Sequence, residues 1–578
     1  MKIWRINIQT KQHYLEDIPE AWQHLGGRGL LAKIMLDEVK PTCDPLGPYN
    51  KLVFAPGLLV GHRLSSLDRI SIGGKSPLTV GIKEANAGGR TGYHLTQLGI
   101  KALIVEGRPE EDDWQIVHLS SEGVRFDQAD GIAGKGVYQS AAELGDRYGE
   151  DVAIALIGPG GEMKLRAAGI QNMDLDNSPS RIAARGGMGA VMGSKRIKAI
   201  VIDAEGGKPP PISDEQAFKD ARKRFTTALI NHPQTTSYAD YGTAAMANMC
   251  NGFGGLPTRN FSEGTFEHVE KIGGEQLRNT LLERGGISKT THACMAGCAI
   301  RCSNVFTDQT GEQVIVAPVE YETIGLMGSN LGIDSLDVIA QMNKEANDLG
   351  LDSIEIGAAL GVVCEAGLMS FGDGERALEL IAEIREKTPL GRILGNGAAT
   401  TGEVFGIERV PVVKGQAISA YDPRAIKGTG VTYATTPQGA DHTCGMTIRA
   451  KIKHTQPHGH VKHSREAQLK MAGYDTLGAC IFSGFGFADV PETIYELVNA
   501  RYGTNYEIGL LQDLGRETIG YEREFNLRAG FTKSDDRMPE WMTREPLPPH
   551  NTVFDVSEED LDSVFNFETG DSQVIGAS

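Results

Sequence analysis

The chain has 578 residues, of which 40% are hydrophobic and 23% are charged. This length and composition predict two or three domains with a substantial core, and they exclude a peptide hormone, a single repeat unit and a wholly disordered protein. There are 57 lysines and arginines against 75 aspartates and glutamates, for a formal net charge of −18. Because nucleic-acid binding depends on clustered positive charge, we expect no nucleic-acid partner.

The first two hundred residues predict a series of short strands separated by glycine and proline. Apolar and polar residues alternate at the start of the chain, which favours a first strand over a secretory leader. Apolar runs rich in β-branched residues predict further strands at 51–59, 102–107, 152–158 and 197–203. No run approaches the roughly 18 apolar residues of a membrane span, so we expect a cytoplasmic protein without membrane association.

A linker and a change to helical spacing follow. The Gly-Gly-Lys-Pro-Pro-Pro run at 206–211 predicts an extended connector. Apolar residues then recur at helical spacing from Leu336 to Ala346 and predict a helix that ends at Gly350. A second helix is predicted to begin at Asp352, which with Glu355 resembles a capping pair.

These patterns predict an α+β fold with an N-terminal β-sheet base domain followed by two mainly helical domains. The predicted domain limits are 1–207, 208–413 and 414–578.

Three of the eight cysteines, Cys294, Cys298 and Cys302, lie within nine residues. In an intracellular protein this spacing favours metal or redox chemistry over a disulfide. A continuous helix would separate the first and third cysteines by about 12 Å, so we expect Gly297 to provide a turn that curls the backbone around an inorganic cluster. A structural zinc site and three small buried residues in a helix contact remain alternatives.

Cys480 is the predicted fourth ligand because it ends a short pattern that occurs twice. The two copies are Asn347–Asp352 and Asp475–Cys480, each with an acid or amide first, glycine fourth and a polar residue sixth. Two copies suggest two similar ligands, each a flat heterocycle with several hydrogen-bond donors and acceptors. Two unrelated helix C-termini with glycine are equally compatible with the spacing.

A set of short motifs runs in order along nearly the whole chain: GGRGL at 26–30, KSPLT at 75–79, NAGG at 86–89, RGGMGAVMGSK at 185–195, the cysteine loop, EYE at 320–322, AYDPR at 420–424, GADH at 439–442 and FNLRAGF at 525–531. Any one of them alone would be weak evidence. As an ordered set they resemble the tungsten-containing aldehyde:ferredoxin oxidoreductases.

The resemblance implies a tungsten atom, or molybdenum, bound by the dithiolenes of two pyranopterins, one [4Fe–4S] cluster, and a Mg²⁺ ion that bridges the pterin phosphates. Cys294, Cys298, Cys302 and Cys480 would bind the cluster, and Arg69 would lie between the cluster and a pterin. The other implied cofactor contacts are Asn86, Gly88, Arg185, Gly186, Gly187, Met188, Gly189, Asn347, Leu351, Asp352, Asp441, Asp475 and Ala479.

The same resemblance implies oxidation of an aldehyde to a carboxylate, with electrons leaving through the cluster to a ferredoxin or a small iron–sulfur subunit. His442 would donate a hydrogen bond to the aldehyde oxygen, and either Glu320 or Glu322 would handle the proton. Gln341 and Lys344 stand where some members carry a metal-binding Glu and His. In a homodimer we therefore expect no bridging metal.

The cysteine loop departs from the family, because three residues separate its first two cysteines where two are common. Two other functions stay open: the tungsten subunit of a low-potential reductase of the class II benzoyl-CoA reductase type, and a non-catalytic iron–sulfur relay protein.

Four histidines, at 454, 458, 460 and 463, lie within ten residues beside two lysines. We interpret this segment as an exposed basic loop. Docking of an acidic electron-transfer protein and metal binding are the alternatives.

Overall fold

The structure is a computed structural model, which describes residues 1–110 and 112–567. Its N-terminal region contains two six-stranded sheets. The strands are β1 (Lys2–Asn7), β2 (Gln12–Glu16), β3 (Leu52–Pro56), β4 (Ile70–Lys75), β5 (Ile82–Ala87) and β6 (Ile100–Glu106) in the first sheet, and β7 (Gln115–Ser120), β8 (Gly123–Gln128), β9 (Ala153–Leu156), β10 (Ile170–Asn172), β11 (Arg181–Ala183) and β12 (Ile197–Ile202) in the second.

Five helices lie among these strands: α1 (Gly27–Glu38), α2 (Thr91–Gln97), α3 (Val137–Tyr148), α4 (Pro159–Glu162) and α5 (Met188–Ser194). All five predicted strands are confirmed, with small shifts at their ends. The strand predicted at 51–59 is the exception in length, because it ends at Pro56. The next residue, Gly57, touches a distant part of the backbone instead of continuing the strand.

The remaining chain is mainly helical. Its helices are α6 (Glu215–Asn231), α7 (Pro233–Tyr241), α8 (Met246–Gly252), α9 (Val269–Ile272), α10 (Gly274–Arg284), α11 (Tyr321–Thr323), α12 (Leu336–Leu349), α13 (Ser353–Glu365), α14 (Gly374–Arg385), α15 (Pro389–Gly395), α16 (Gly397–Phe405), α17 (Lys427–Thr435), α18 (His460–Leu477), α19 (Gly484–Asp489), α20 (Glu492–Tyr502), α21 (Leu510–Ala529), α22 (Glu540–Arg544) and α23 (Glu558–Ser563). Short strands are β13 (Lys289–His292), β14 (Ser303–Thr307), β15 (Val314–Val316), β16 (Val412–Val413) and β17 (Gln416–Ala417).

The α+β class is confirmed by this arrangement of sheets followed by helices. Over the described parts of the chain, no helix is both long enough and apolar enough to cross a lipid bilayer.

The two large sheets have the same topology, a feature that the sequence motifs do not reveal. Their strand orders are β2-β1-β6-β3-β4-β5 and β8-β7-β12-β9-β10-β11, and each has one parallel pair, β1 with β6 and β7 with β12. The registers also match. The first residue of the third strand, Leu52 in one sheet and Ala153 in the other, pairs with the sixth residue of the last strand, Val105 and Ile202 respectively. The N-terminal region is therefore an internal duplication, and its clearest trace in the sequence is IKALIVE at 100–106 and IKAIVID at 197–203.

The two sheets pack face to face over a shared apolar core. Trp4, Phe54 and Leu103 of the first sheet and Leu119 and Ile200 of the second belong to it. Helices cover the two outer faces: α1, α18 and α21 pack on the first sheet and α3 packs on the second. Both sheets are thus fixed between layers, which makes the duplicated region a rigid base.

The helical regions share cores across the chain. Side chains from α6 pack with those of α19 and α20, and Phe225 stacks on Phe487 with ring centroids 4.3 Å apart. A second core joins residues 244–398 to residues 413–448 and 538–564. The domain limits at 207 and 413 stay predictions.

The predicted pair of helices is present as α12 and α13. Asp352 caps α13 as expected, since its carboxylate accepts the N–H of Ile354 at 3.0 Å. The second half of the predicted capping pair is wrong, because buried Glu355 accepts two distant N–H groups, from Ala398 and Ala417, at 3.0 Å each. Glu355 therefore joins separate segments and does not close the helix end.

Candidate cofactor and active site

Both copies of the repeated pattern end a helix in the same way. Gly350 and Gly478 adopt left-handed backbone angles, with φ of 72° and 81°. The following residues, Leu351 and Ala479, donate their N–H groups to the carbonyl five positions earlier, at 2.9 and 2.8 Å. This is the Schellman arrangement of a helix C-terminus, so the interpretation as helix ends is right locally.

Each half of the duplicated base holds one of these helix ends by an equivalent hydrogen bond. The N–H of Gly169 donates to the carbonyl of Gly350 at 2.9 Å, and the N–H of Arg69 donates to the carbonyl of Gly478 at 3.1 Å. Both donors lie just before the fourth strand of their own sheet. The two pattern copies therefore occupy equivalent places on the base, which a chance similarity of helix ends would not produce.

Glycines after the third strand of each sheet allow this close approach. A Cβ added at Gly57 would lie 2.0 Å from the backbone nitrogen of Gly478, and one at Gly158 would lie 2.8 Å from that of Gly350. Any side chain at either position would push the helix end off the base.

Ser66 connects the cysteine loop with Cys480, because its Oγ lies 3.6 Å from the sulfur of Cys298 and its carbonyl accepts the N–H of Cys480 at 2.8 Å. Among the described residues, no three histidine, cysteine or acidic side chains are already arranged as a metal site. Interaction between the thiols of Cys294 and Cys298, together with burial, raises the pKa of Cys294. The same interaction lowers the pKa of Cys298, although burial acts in the opposite direction there. Burial and the neighbouring Cys294 raise the pKa of both Cys302 and Cys480. Four thiols that perturb one another in this way form a ligand set that fits a multi-iron cluster.

The loop that carries these thiols turns at Gly297, where φ is 74°. The predicted turn is confirmed. A Cβ at this glycine would lie 2.8 Å from the carbonyl oxygen of Arg63, so the loop is seated against the chain that leads into β4. The sulfur of Cys298 accepts the N–H of Arg301 at 3.5 Å and exchanges a hydrogen bond with Ser66 Oγ at 3.6 Å. Backbone and hydroxyl donors to sulfur are typical of iron–sulfur sites.

Arg69 links the thiols to the second copy of the pattern. Burial lowers its pKa, but the thiols of Cys480 and Cys294 and the carboxylate of Asp475 outweigh that effect and raise it. Its guanidinium donates to the side-chain oxygen of Asn86 and, at 3.4 Å, to the backbone carbonyl of the same residue. Gly88, two residues further on, has its Cβ position 3.4 Å from the sulfur of Cys294.

A buried network of charges surrounds Asp475, and three of its members were missed in the sequence. Arg28 donates to Glu522 at 2.7 and 2.9 Å and to Asp475 at 3.3 Å. Burial raises the pKa of Glu84, and burial together with repulsion from Glu84 raises that of Asp475. Glu84 also accepts the side-chain N–H of Asn86 at 3.2 Å, so the network extends from Arg28 to the residue that Arg69 contacts.

Arg185 connects the base to the first copy of the pattern. Its guanidinium donates to Asp352 at 3.1 Å, to Ser419 Oγ at 2.9 Å, and to the carbonyls of Ala440 at 3.0 Å and Ala417 at 2.6 Å. These contacts occupy the guanidinium of Arg185, which the resemblance includes among the cofactor contacts. In this arrangement any phosphate contact of the 185–189 loop falls to its backbone.

That backbone has the geometry of an anion-binding turn. Gly186 and Gly187 both have positive φ, 81° and 77°, directly before Met188 begins α5. A Cβ at Gly186 would lie 2.2 Å from Cγ of Lys83, so only glycine fits. Gly189 donates its N–H to the carbonyl of Ala168 at 2.9 Å, which fixes the turn on the base.

Glu322 and His442 face each other near Arg185. Their closest atoms, Glu322 Oε1 and His442 Nε2, are 3.6 Å apart. The other oxygen of Glu322 accepts the N–H of Ala420 at 2.8 Å, whereas Oε1 is buried without a hydrogen-bond partner. Burial raises the pKa of Glu322 despite the nearby imidazole and guanidinium. His442 Nδ1 exchanges a hydrogen bond with Ser419 Oγ at 3.1 Å.

Glu320 directly precedes α11, the short helix that contains Glu322, and it interacts with a cysteine instead of His442. It accepts a hydrogen bond from Thr243, and its charge contributes to the raised pKa of Cys302. Burial raises its own pKa, against the charges of Arg181 and Arg69. The two glutamates that the sequence leaves equivalent are thus divided between the thiols and His442.

Both carboxylate oxygens of Asp441 already accept hydrogen bonds within the protein. Oδ2 accepts from Lys83 at 2.6 Å, and Oδ1 accepts the N–H and hydroxyl of Thr443 at 3.0 and 2.8 Å. Lys83 and its neighbours hold the pKa of Asp441 well below its usual range in spite of burial. Asp441 therefore fixes the segment that carries His442.

Two tyrosines beside the pair were also missed. The ring of Tyr421 stacks on that of His442 with centroids 6.2 Å apart. The hydroxyl of Tyr433 is buried without a hydrogen-bond partner, and Glu322 is among the groups that raise its pKa. Tyr421 belongs to the AYDPR motif and so could have been selected, whereas nothing in the sequence points to Tyr433.

Asn347 is buried at the end of α12, and its carbonyl accepts from Gln171 at 3.4 Å. In the histidine-rich segment, the predicted loop ends where His460 begins α18, and that histidine is buried. The interpretation as an exposed loop is therefore wrong for His460 and for His463, which lies in α18 and is half-buried, while His458 is exposed.

Cysteine thiols close to buried acid–base groups are typical of an oxidoreductase. The family model described as "Aldehyde ferredoxin oxidoreductase, N-terminal domain" matches residues 3–204, and that of "domains 2 & 3" matches residues 220–567. The chain belongs to the aldehyde ferredoxin oxidoreductase family.

Individual relatives agree with this assignment. The chain is 33% identical to the tungsten-containing aldehyde ferredoxin oxidoreductases of Pyrococcus furiosus and Thermococcus kodakarensis, over 94% of this chain and 91% of each relative. It is 28% identical to an aliphatic sulfonate oxidoreductase, WOR-like subunit, of Pyrococcus furiosus, over 90% and 85% of the two chains.

A solved structure shares the fold. It is the active site complex BamBC of benzoyl coenzyme A reductase with 1,5-dienoyl-CoA, with a TM-score of 0.78 and 18% identity over 97% of this chain and 92% of the other.

Proposed function

We propose that this chain is a tungsten–pterin iron–sulfur enzyme that oxidises aldehydes to carboxylic acids and transfers the electrons to a ferredoxin-type acceptor in the cytoplasm. The observation that carries the proposal is the seat of Arg69, whose backbone N–H donates to the carbonyl of Gly478 at 3.1 Å, two residues before Cys480, and whose guanidinium donates to Asn86. One residue thereby connects a site fit for an iron–sulfur cluster with a site fit for a pterin. The relatives at 33% identity, named as tungsten-containing aldehyde ferredoxin oxidoreductases, support the same conclusion.

The four cysteine thiols would hold a [4Fe–4S] cluster. Each pattern copy would hold one pterin: Asp475 and Ala479 on one side, Asn347, Leu351 and Asp352 on the other. Asn86 and the backbone of the 185–189 loop would hold the phosphates and a Mg²⁺ ion, because β5 and β11, at whose ends they stand, lie side by side where the two sheets meet.

When bound, the tungsten–pterin centre would supply the two-electron oxidant and the cluster a one-electron exit. The protein has to orient the aldehyde and manage protons. If the hydroxyl of Ser419 donates to Nδ1 of His442, the proton of the imidazole stays on Nε2, available to the aldehyde oxygen.

Glu322 is the group that we assign to proton transfer. Its unpartnered Oε1 lies next to His442, and its raised pKa brings it closer to the working pH, where a general base is most effective. Conversion of an aldehyde and a water to a carboxylic acid releases two electrons and two protons, so a nearby base is required. We assign Glu320 to the surroundings of the cluster, through Cys302.

The test is activity of anaerobically purified protein loaded with tungstate. Reduction of benzyl viologen that depends on short aliphatic or aromatic aldehydes, with formation of the matching acid, is the expected result. Viologen-driven reduction of an aryl-CoA thioester without aldehyde oxidation would replace the proposal by a reductase of the benzoyl-CoA type. Neither activity in a sample with full tungsten, pterin and iron content would overturn the enzyme proposal and favour the relay protein.

A further inference from the structure

We propose that an acidic one-electron carrier protein docks on a basic face formed by Lys219, Arg222 and Lys223 of α6 together with Arg63 and Arg301 beside the cysteine loop. This inference rests on the proposed function, because it concerns the exit of electrons from the cysteine-bound cluster. It goes beyond that function in naming the surface. The carrier is a separate small protein that binds transiently.

The basic face lies directly over the thiols. Ser66 Oγ is 3.6 Å from the sulfur of Cys298, and the Cβ position of Gly297 is 2.8 Å from the carbonyl oxygen of Arg63. The same carbonyl accepts from the guanidinium of Arg222 at 3.4 Å. An unbroken series of short contacts therefore runs from the sulfur of Cys298 to a cation of α6, so a carrier bound there would be close to the cluster.

The cations of this face are available to a partner. Lys219, Lys223 and Arg301 are exposed, and no ion pair joins them to any of the described residues. By contrast, their neighbour Arg224 is paired with Glu492 at 2.9 Å and with Glu496. The acids of the same helix, Glu215 and Asp220, form no ion pair with these cations among the described residues, and Asp220 accepts hydrogen bonds from Gln216 at 3.1 and 3.0 Å. Because the whole chain carries −18, unpaired positive charge beside the thiols marks a local site for an acidic partner.

Apolar side chains lie toward the C-terminal end of α6, where Phe485 stacks on His232 and Phe482 packs on Tyr238. Ile481, Phe482 and Phe485 follow Cys480 and are half-buried at the surface. They reach α6 because Gly486 lies against Phe225, with its Cβ position 2.9 Å from that ring. Because these rings pack within the protein, binding at the basic face depends on charge, which sets the association rate of a transient electron-transfer contact.

The histidine-rich segment, the alternative docking site suggested by the sequence, is too distant. It lies at the N-terminal end of α18, whereas Cys480 follows the C-terminal end. Eighteen helical residues separate them, which is about 27 Å at 1.5 Å per residue. Lys462, in the first turn of α18, is therefore far from Cys480, and together with Lys453 it provides a control of equal charge outside α6.

The experiment measures kcat/KM for an acidic bacterial 2[4Fe–4S] ferredoxin and, separately, for benzyl viologen, with one aldehyde as donor. The test variant is Lys219→Glu with Arg222→Glu, and the matched control is Lys453→Glu with Lys462→Glu, which changes net charge equally. We expect the ferredoxin-to-viologen ratio to fall about tenfold in the test variant and less than twofold in the control. The wild-type ferredoxin rate should also fall steeply as ionic strength rises, and the test variant should lose that dependence.

With a cationic acceptor, cytochrome c, we expect the rate to change in the opposite direction. Its rate should rise in the test variant, which a merely damaged protein would not show. If the test variant's ratio matches that of the control, or if both fall together, the docking proposal is overturned while the aldehyde activity stands. A tightly bound subunit that covers α6 in the purified protein would overturn it as well. Loss of the viologen activity in the wild type would instead count against the proposed function.

Discussion

Replacement of Glu322 by glutamine tests the assignment of the proton-transfer group. Glutamine has nearly the same shape, and its carbonyl oxygen can still accept the N–H of Ala420, now at 2.8 Å from Glu322 Oε2. Its amide group would occupy the place of the unpartnered Oε1, 3.6 Å from His442 Nε2. The fold should therefore be preserved, and we expect tungsten and iron content equal to wild type.

The rate is expected to fall because the base is lost. A positioned general base contributes about 10²- to 10⁴-fold, so kcat should decrease by that factor, or about 3–5 kcal/mol in the barrier. Burial raises the pKa of Glu322, and the base works only when deprotonated. In the wild type the rate therefore falls as the pH drops through this raised pKa, above the usual glutamate range, and Glu322→Gln should remove that acidic limb.

Glu320→Gln is the matched control, two residues away. Glu320 accepts a hydrogen bond from Thr243 and raises the pKa of Cys302, whereas the glutamate beside His442 is Glu322. We expect kcat within about threefold of wild type, with the cluster easier to reduce because a nearby negative charge is gone. The assay is aldehyde-dependent viologen reduction from pH 5 to 9 in metal-matched samples. A large loss in Glu320→Gln with near-normal activity in Glu322→Gln would refute the reasoning.

Three further changes test the framework. Cys480→Ala removes one thiol, so we expect an iron content below the about four atoms per chain of a full cluster, and an altered EPR signal on reduction. An unchanged iron content would exclude Cys480 as a ligand. Lys83→Met leaves Asp441 buried without its counter-ion and should cost about 3–5 kcal/mol in unfolding free energy. Since the pKa of Asp441 is depressed in the folded wild type, its stabilisation is present above the usual aspartate pKa and is lost on acidification. The deficit of Lys83→Met in denaturant unfolding should hence shrink at low pH, and a pH-independent deficit would contradict the ion-pair assignment. Gly57→Ala puts a methyl group 2.0 Å from the nitrogen of Gly478 and should lower thermal stability and pterin content together; a normal variant would show that the close contact is not needed.

Features of the fold that depend on neighbouring residues could be predicted from short sequence patterns. The helix end at Gly350, the cap at Asp352 and the turn at Gly297 each depend on residues within one turn of chain, so they were visible in the sequence. The ordered motifs carried the family assignment, which the family models bear out.

Long-range features could not be derived in the same way. Arg28 meets Glu522 and Asp475 across more than four hundred residues, and no local pattern predicts that contact. The duplication of the base is fixed by strand order and register, while its sequence trace is one strand of seven residues. The division of Glu320 and Glu322 between thiols and imidazole likewise depends on which way a single helical turn faces.

The central claim is that one site combines a cubane on four cysteines with a pterin-bound heavy metal. Elemental analysis for tungsten, molybdenum, iron and zinc, with a pterin assay and EPR on the same anaerobic sample, tests it most directly. We expect tungsten or molybdenum with pterin, and about four irons per chain whose reduced EPR signal is altered in Cys480→Ala. Zinc bound to the cysteines, or iron without heavy metal and pterin, would contradict it.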